Sequence, residues 1–167
     1  MGLEAKNPFE NDELFRADEV QPTDTDDLDG GAEPVELLAV HHVALAVPHL
    51  DEAIDAQRET FGVTVEAREI LAEEEVEVAL LDVGGAYLQL IAPTSEESWV
   101  AELLEAQGPG LSHVGYRVAD CAAALAALAD RGYEIVDDEP RPGVGGTRVA
   151  YVHPPDQPGM LIQLVEE

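Results

Sequence analysis

Two apolar, strand-like stretches carry histidines in their interiors. The run "LLAVHHVALAV" at 37–47 contains His41 and His42, and "GLSHVGYRV" at 110–118 contains His113 in a similar context. A polar side chain buried without a partner costs a few kcal/mol, on the order of a lost hydrogen bond or more. The histidines therefore indicate a site in which the imidazole nitrogens bind a ligand or another polar group.

Two glutamines recur in the same way. Gln89 lies in "YLQLIAP" and Gln163 in "GMLIQLVE". Four of these polar positions, all but His41, belong to an internal repeat, in which "HHVALAVPHLDEAIDAQRETFGVTV" aligns with "SHVGYRVADCAAALAALADRGYEIV". His42 precedes His113 by 71 residues and Gln89 precedes Gln163 by 74. A repeat of this length indicates two copies of one structural unit, packed together to bury their apolar faces.

Hydrophobic periodicity predicts the elements of each copy. We expect helices at 51–61, 95–107 and 120–131, the first and third with N-terminal caps at Asp51 and Asp120. The predicted strands are 40–47, 63–70, 76–83, 86–92, 112–118, 133–136, 147–152 and 160–166. Each copy then reads strand, helix, three strands. The sequence predicts an α+β fold of two paired βαβββ modules, about 37–108 and about 109–167, that form a cleft with a metal site.

Alternation along a strand decides which side chains enter that cleft. His42 shares its face with Ala44 and Ala46, which leave space for a cavity, whereas His41 is expected to point the other way as a surface residue. An approximate two-fold relation would bring His42, Gln89, His113 and Gln163 together. Two neutral imidazole nitrogens and two amide oxygens suit Co²⁺, Mn²⁺, Ni²⁺, Fe²⁺ or Zn²⁺.

Several stretches together resemble a known family. They are "HHVALAV", "YLQLIAPTSEES", "GPGLSHVGYRV", "DDEPRPGVGGTRVAYVHP" and "GMLIQLVE", within about 40–166. The chain resembles the vicinal oxygen chelate (glyoxalase/bleomycin resistance/dioxygenase) superfamily, and within it the methylmalonyl-CoA epimerases. The resemblance implies metal ligands at His42, Gln89, His113 and Gln163. It also implies an acyl-CoA substrate whose oxygens chelate the ion, which stabilises an enolate.

The chain departs from that family where a catalytic base is expected. These epimerases typically have a glutamate at the position of Gln163, and some have another at the position of Val78. An amide can coordinate a metal but does not accept a proton at useful pH. The catalytic residue is therefore unknown from the sequence. One alternative is a glyoxalase-type isomerase or lyase. Another is a non-catalytic, ligand-binding member of the superfamily that has lost its base.

Three arginines are candidates for substrate binding. Arg117 shares a strand face with His113 and could meet a substrate carboxylate. Arg141 and Arg148 are rare cations that could meet the phosphates of coenzyme A. The neighbouring "GVGG" at 143–146 is expected to be a flexible turn at the mouth of the cleft.

The charge of the chain limits its partners. The sequence has 36 acidic and 8 basic residues, a net charge of −28. The negative electrostatic field of this net charge opposes binding to nucleic acid or to an anionic membrane. Because the acidic residues are spread along the chain, we favour adaptation to concentrated salt, a halophilic character, over an acidic surface for a basic partner.

The remaining expectations concern the N-terminal tail, the cellular compartment and the oligomeric state. Residues 1–36 carry 12 acidic side chains and few apolar ones, and are expected to be a disordered acidic tail before the domain at 37–167. No apolar run reaches the ~18 residues of a membrane span, and no signal peptide is recognisable. We therefore expect a cytoplasmic protein, with a homodimer compatible with the sequence.

Overall fold

The computed structural model describes residues 33–153 and 161–167 of the chain, so nearly all of the predicted tail at 1–36 lies outside the described residues. None of the three helices in these ranges is long and apolar enough to cross a membrane. The elements in chain order are β1 (Ala39–Ala46), α1 (Leu50–Phe61), β2 (Val65–Leu71), β3 (Val76–Asp82), β4 (Tyr87–Pro93), α2 (Trp99–Gln107), β5 (Gly110–Arg117), α3 (Cys121–Asp130), β6 (Glu134–Ile135), β7 (Arg141–Pro142), β8 (Arg148–His153) and β9 (Leu161–Glu166).

One mixed sheet joins the two halves of the chain. Its strand order is β2-β3-β4-β1-β5-β9-β8-β6, with the short β7 paired to β8. The histidine strands β1 and β5 lie antiparallel at its centre, while β1 is parallel to β4 and β5 is parallel to β9. Each half therefore repeats the same pairing, with the strand that carries a glutamine next to the strand that carries a histidine. The predicted α+β fold of two βαβββ units is confirmed.

Helices α1 and α3 cover one face of the sheet, which we call the outer face. Leu50 and Ile54 of α1 pack against Leu81 and Leu90. In the second half, α3 packs Cys121, Ala124 and Leu125 against strand residues that include Ala150 and Leu164. Alternation along the strands leaves the opposite set of side chains on the other, inner face. The inner face is where the four candidate ligands lie.

The inner face of the first half has its own apolar cluster. Val76, Val78 and Leu80 of β3 pack with Ile91 of β4, and Trp99 at the start of α2 lies against them. Val144 joins this cluster from the second half. It belongs to the short 3₁₀ turn Val144–Gly146, so the "GVGG" segment packs its valine into the core instead of remaining wholly at the surface.

Two helix starts differ from the sequence-based expectation. Helix α2 begins at Trp99, four residues later than predicted, because the Ser98 hydroxyl accepts a hydrogen bond from the Val100 N–H and caps the helix there. Helix α1 begins at Leu50, and His49 occupies its cap position, so Asp51 lies in the first turn and is not the cap. The predicted cap of α3 is confirmed, since the Asp120 carboxylate accepts from the Ala123 N–H.

Candidate metal centre

The two repeat-related histidines face each other across the central strand pair. His42 Nε2 lies 3.1 Å from His113 Nε2, and the rings meet nearly edge to face at 5.2 Å between centroids. Both side chains are fully buried. The antiparallel register explains the meeting, because His42 pairs with Gly115 and His113 pairs with Ala44, two small residues beside the rings. The structure thus brings together the two nitrogens that the repeat predicted.

The orientation predicted for His41 is wrong. His41 was expected at the surface on the opposite face from His42, but only 7% of it is exposed. Its Nδ1 lies 2.7 Å from Nδ1 of His42. Simple alternation fails because β1 and β5 are out of register between Val40 and His42, which makes His41 the extra residue of a β-bulge. A bulge re-aims a side chain, and here it turns His41 toward the site.

The two glutamines lie on the inner face of the sheet. Across the paired strands, each glutamine is level with the histidine of the other half of the chain. Across the sheet, Gln89 pairs with Ala44, which pairs with His113. In the neighbouring row His42 pairs with Gly115, which pairs with Gln163. Each glutamine is therefore two strands, roughly 10 Å between backbones, from a histidine. The residue between each glutamine and histidine is alanine or glycine, which leaves room for the long amide side chain to extend toward the histidine.

A narrow cavity connects these residues. His41, His42, Gln89 and Gln163 line it, while His113 is fully buried and is not among the lining residues. Its volume is about 20 Å³, roughly the space that one water molecule needs. One side of the cavity is formed by Pro142, Gly143, Val144 and Thr147, which come from the segment around the 3₁₀ turn. That segment limits access to the candidate ligands.

Burial keeps the histidines of the site neutral. Burial, together with the neighbouring His113 and His41, lowers the pKa of His42 to about 2. It also lowers the pKa of His113 to about 3. The pKa of His41 is lowered by burial, although the Glu167 carboxylate opposes that shift. Neutral imidazoles keep the lone pairs that metal coordination requires.

The nitrogen geometry fits a divalent transition metal. Metal–nitrogen bonds to histidine are about 2.0–2.1 Å long, so two of them at about 90–109° hold the nitrogens roughly 2.8–3.4 Å apart. The observed separation of 3.1 Å falls in that range. No cluster of three or more His, Cys, Asp or Glu residues within 33–153 and 161–167 could hold a metal ion. Such a centre would therefore depend on the amide oxygens of Gln89 and Gln163.

A carboxylate that sequence reasoning overlooked also lines the cavity. Glu74, in the turn between β2 and β3, is the one acidic residue of the described chain that does so, and 16% of its side chain is exposed. Its Oε1 lies 3.2 Å from Nη1 of Arg141. The sequence places Glu74 in the middle of three consecutive glutamates in a turn, a pattern that resembles a solvated surface. Nothing local distinguishes it from its neighbours.

Tyr151 was also overlooked, although alternation along β8 puts it on the inner face. Its ring lies edge-on to His113 at 5.1 Å, and it lines the cavity together with Gln163. Burial raises the pKa of Tyr151, and the nearby charge of Glu74 adds to that rise. Tyr151 therefore stays a neutral hydrogen-bonding group beside the candidate ligands.

The three candidate arginines lie at different places. Arg141 is next to the cavity, with its guanidinium carbon 5.1 Å from the centroid of the Tyr151 ring. Arg117 pairs with Glu167 at 3.1 Å and lines a separate surface depression beside His41. Arg148 is exposed near Glu166 and is not among the described residues that line the cavity. The structure brings only Arg141 close to the candidate ligands.

Comparison with known proteins points to one family. The model of the Glyoxalase/Bleomycin resistance protein/Dioxygenase superfamily matches residues 41–151. An ethylmalonyl-CoA/methylmalonyl-CoA epimerase of Cereibacter sphaeroides is 33% identical over 127 residues, which cover 75% of this chain and 95% of the relative. The uncharacterized protein YqjC of Bacillus subtilis is 30% identical over 125 residues, covering 75% and 89% of the two chains.

Solved structures agree with the sequence relatives. A Streptomyces coelicolor methylmalonyl-CoA epimerase in complex with 2-nitronate-propionyl-CoA superposes with a TM-score of 0.75 at 35% identity, covering 79% of this chain and 99% of that one. The methylmalonyl-CoA epimerase of Mycobacterium tuberculosis gives a TM-score of 0.75 at 33% identity, covering 83% and 93%. The chain belongs to the glyoxalase/bleomycin resistance/dioxygenase superfamily, the vicinal oxygen chelate family that its sequence resembles.

Proposed function

We propose that this protein is a metal-dependent epimerase that acts on a 2-substituted acyl thioester, with methylmalonyl-CoA as the best candidate substrate. The observation that carries the proposal is the pair of neutral imidazole nitrogens of His42 and His113, 3.1 Å apart, with His42 lining a cavity that Gln89 and Gln163 also line. The similarity to methylmalonyl-CoA epimerases supports the choice of reaction.

In this proposal His42, His113, Gln89 and Gln163 hold a divalent ion. The ion, when bound, supplies positive charge that favours an enolate oxygen over the neutral thioester carbonyl. None of the four groups carries a negative charge, so they do not offset the charge of the ion. We therefore expect weaker metal affinity than a ligand set with a carboxylate would give.

Glu74 is the residue that we propose as the proton acceptor. It is the carboxylate that reaches the cavity from the described residues, and it does not cluster with the histidines as a metal ligand would. It would take the proton from the carbon next to the thioester carbonyl. The C–H electron pair becomes the carbon–carbon double bond of the enolate, and the thioester oxygen takes the charge. Return of a proton from solvent to the opposite face inverts the centre, and Glu74 then loses its proton to water.

Arg141 is the residue that we propose for recognition of the substrate. Its guanidinium contacts both Glu74 and the face of Tyr151, so it lies where the free carboxylate of a malonyl-type acyl group would approach the cavity. A thioester does not fit into about 20 Å³. Entry of the acyl head therefore requires the segment around Val144 to move away from the inner apolar cluster.

The test follows deuterium incorporation into methylmalonyl-CoA in D₂O, with protein loaded with Co²⁺ and with the same protein after chelation. We expect incorporation at the carbon between the thioester and the carboxylate, dependent on the metal. If no incorporation occurs with either sample, the epimerase proposal is refuted. Binding of the thioester without exchange would then support the non-catalytic alternative, and turnover of a hemithioacetal would support a glyoxalase-type reaction.

A further inference from the structure

The central strand pair contains two β-bulges that are related by the repeat. In β1, Val40 pairs with Tyr116 and His42 with Gly115, so His41 is an extra residue. In β5, the extra residue is Ser112, because Ala44 pairs with His113 and the next pair is Leu45 with Leu111. Each bulge residue directly precedes a histidine whose Nε2 faces the candidate centre. The fold has thus placed the same irregularity at the same point in both halves.

Both bulge residues turn a polar side chain onto the neighbouring imidazole. His41 Nδ1 lies 2.7 Å from His42 Nδ1, and Ser112 Oγ lies 3.1 Å from His113 Nδ1. His41 and Ser112 are buried to nearly the same degree, with 7% and 6% exposed. In each histidine, one ring nitrogen therefore faces the centre and the other faces a bulge residue.

These contacts allow one arrangement of the ring protons that leaves both Nε2 lone pairs free. A neutral imidazole has one N–H and one lone pair, so a free Nε2 requires a proton on Nδ1. His42 Nδ1–H would then donate to Nδ1 of His41, whose own proton lies on Nε2. That nitrogen is 3.7 Å from Oε1 of Glu167, whose negative charge favours a proton on this side of the ring. In the other half, His113 Nδ1–H would donate to the Ser112 hydroxyl.

We propose that His41 and Ser112 are positioning residues, which hold the imidazoles of His42 and His113 in the Nδ1–H form so that both Nε2 lone pairs are directed at a metal ion. The inference rests on the metal centre of the proposed function. It assigns a role to two residues that have none in the proposed function, of which His41 also lines the cavity. Groups that orient a ligating histidine from behind commonly change metal affinity by about 10- to 100-fold when removed.

Of the two positioning residues, His41 should have the larger effect on metal binding. With its Nε2–H facing Glu167, its Nδ1 can only accept, so it permits one orientation of the proton shared with His42. The Ser112 hydroxyl can rotate to donate or accept, so it imposes the Nδ1–H form on His113 less strictly. The two variants should therefore differ in the size of their effect.

The experiment uses the full chain and three variants of His41. His41→Asn retains an acceptor oxygen near the place of Nδ1, whereas His41→Leu removes the acceptor and His41→Gln places its amide one carbon farther out. Co²⁺ affinity is measured by competition with a chelator, and the visible spectrum of bound Co²⁺ reports ligand geometry. We expect about 10- to 100-fold weaker binding for His41→Leu, recovery in His41→Asn but not in His41→Gln, and a smaller loss for Ser112→Ala. His49→Leu, at an exposed histidine, is the matched control.

The proton positions are measured directly in metal-free protein by ¹⁵N–¹H correlation of the histidine rings. Wild type is expected to carry the proton of His42 on Nδ1, and His41→Leu is expected to lose that preference. Folded His41→Leu that binds Co²⁺ as tightly as wild type would overturn the inference, as would a wild-type His42 without a proton on Nδ1. If wild type does not bind Co²⁺, the metal centre of the proposed function fails, while the ring spectra still decide the positioning role.

Discussion

Gly115 lies against the imidazole of His42, on the neighbouring strand of the central pair. A Cβ at position 115 would come within 2.6 Å of His42 Nδ1 and closer still to Cε1, well inside van der Waals contact. The backbone of Gly115 is not in the left-handed region, so the requirement for glycine is one of space. The ring of His42 thus occupies the volume that a side chain at 115 would need, and this placement directs its Nε2 at His113.

Gly115→Ala is expected to displace His42 and weaken the metal centre. The ring is buried and cannot swing into solvent, so the substitution should also lower the free energy of unfolding by about 1–3 kcal/mol, as overpacking commonly does. Chelator competition with Co²⁺ and urea unfolding measure the two effects. Ala44→Gly, at the repeat-related position beside His113, removes a methyl group and serves as the control. Unchanged Co²⁺ affinity in folded Gly115→Ala would show that the ring position does not matter.

Glu74→Gln should lower the rate of deuterium exchange into methylmalonyl-CoA by about 10²- to 10⁴-fold, the usual contribution of a positioned general base. Co²⁺ affinity should change little, because Glu74 does not cluster with the histidines. Glu73→Gln is the matched control, since Glu73 precedes it in the same turn and is exposed. An exchange rate equal to that of wild type would remove Glu74 from the proposed reaction.

Gln163→Glu introduces an anionic ligand and a proton acceptor at one position. A carboxylate attracts a divalent ion more strongly than an amide does, so Co²⁺ affinity and the exchange rate are expected to rise together. Gln89→Glu, in the other half of the repeat, separates the effect of charge on the metal from any effect specific to position 163. If Gln163→Glu binds Co²⁺ more tightly but exchanges more slowly, the amide suits the native reaction and the acceptor lies elsewhere.

The buried histidines should make the metal-free protein less stable in mild acid. In the unfolded chain their pKa is near 6.5, whereas in the fold it is about 2 for His42 and about 3 for His113. Below pH 6.5 the unfolded chain therefore binds more protons, and the free energy of unfolding falls as pH falls, by up to about 1.4 kcal/mol per pH unit for each histidine. Above pH 6.5 these histidines are neutral in the folded and the unfolded chain, so the free energy of unfolding no longer changes with their titration.

Urea unfolding between pH 7 and pH 5, above the range where most carboxylates titrate, measures this dependence. His42→Gln removes one of the two groups and should reduce the slope, whereas His49→Gln at an exposed position should not. The expectation fails if His42→Gln and wild type lose stability with the same dependence on pH.

Salt should stabilise the fold. At a net charge of −28, repulsion among carboxylates opposes the compact state, and screening relieves it. We expect the melting temperature to rise as potassium chloride increases to molar concentrations. Ion pairs such as Arg68 with Asp51 are exposed and contribute little, so their screening does not reverse the trend. A flat or falling melting temperature would favour an acidic surface that serves a basic partner.

Part of this architecture could be predicted because it depends on local pattern. The apolar periods of 2 and 3.6 residues locate strands and helices, and the repeat relates His42 to His113 and Gln89 to Gln163. Alternation within a strand then assigns Gln89 and Gln163 to one face together with Tyr87 and Val165, as observed on β4 and β9. The amide of Gln163, at a position where the family resemblance implies a glutamate, is likewise read from the sequence without knowledge of packing.

The rest depends on which strands pair, and in what register. Alternation alone turned His41 outward, whereas the bulge opposite Tyr116 and Gly115 turns it onto His42. Hydrogen bonds between β1 and β5 decide that bulge, and they join segments some 70 residues apart. Glu74 reaches the cavity because its turn meets Arg141 from the other half of the chain.

The sequence by itself therefore determined the two βαβββ units and the four polar positions that they repeat, because side-chain periodicity is a property of each element alone. Only the tertiary structure decided that Nε2 of His42 meets Nε2 of His113, that each glutamine shares a row with the other half's histidine, and that Glu74 faces the same cavity. Those relations are set by packing and register between distant segments, which no local pattern encodes.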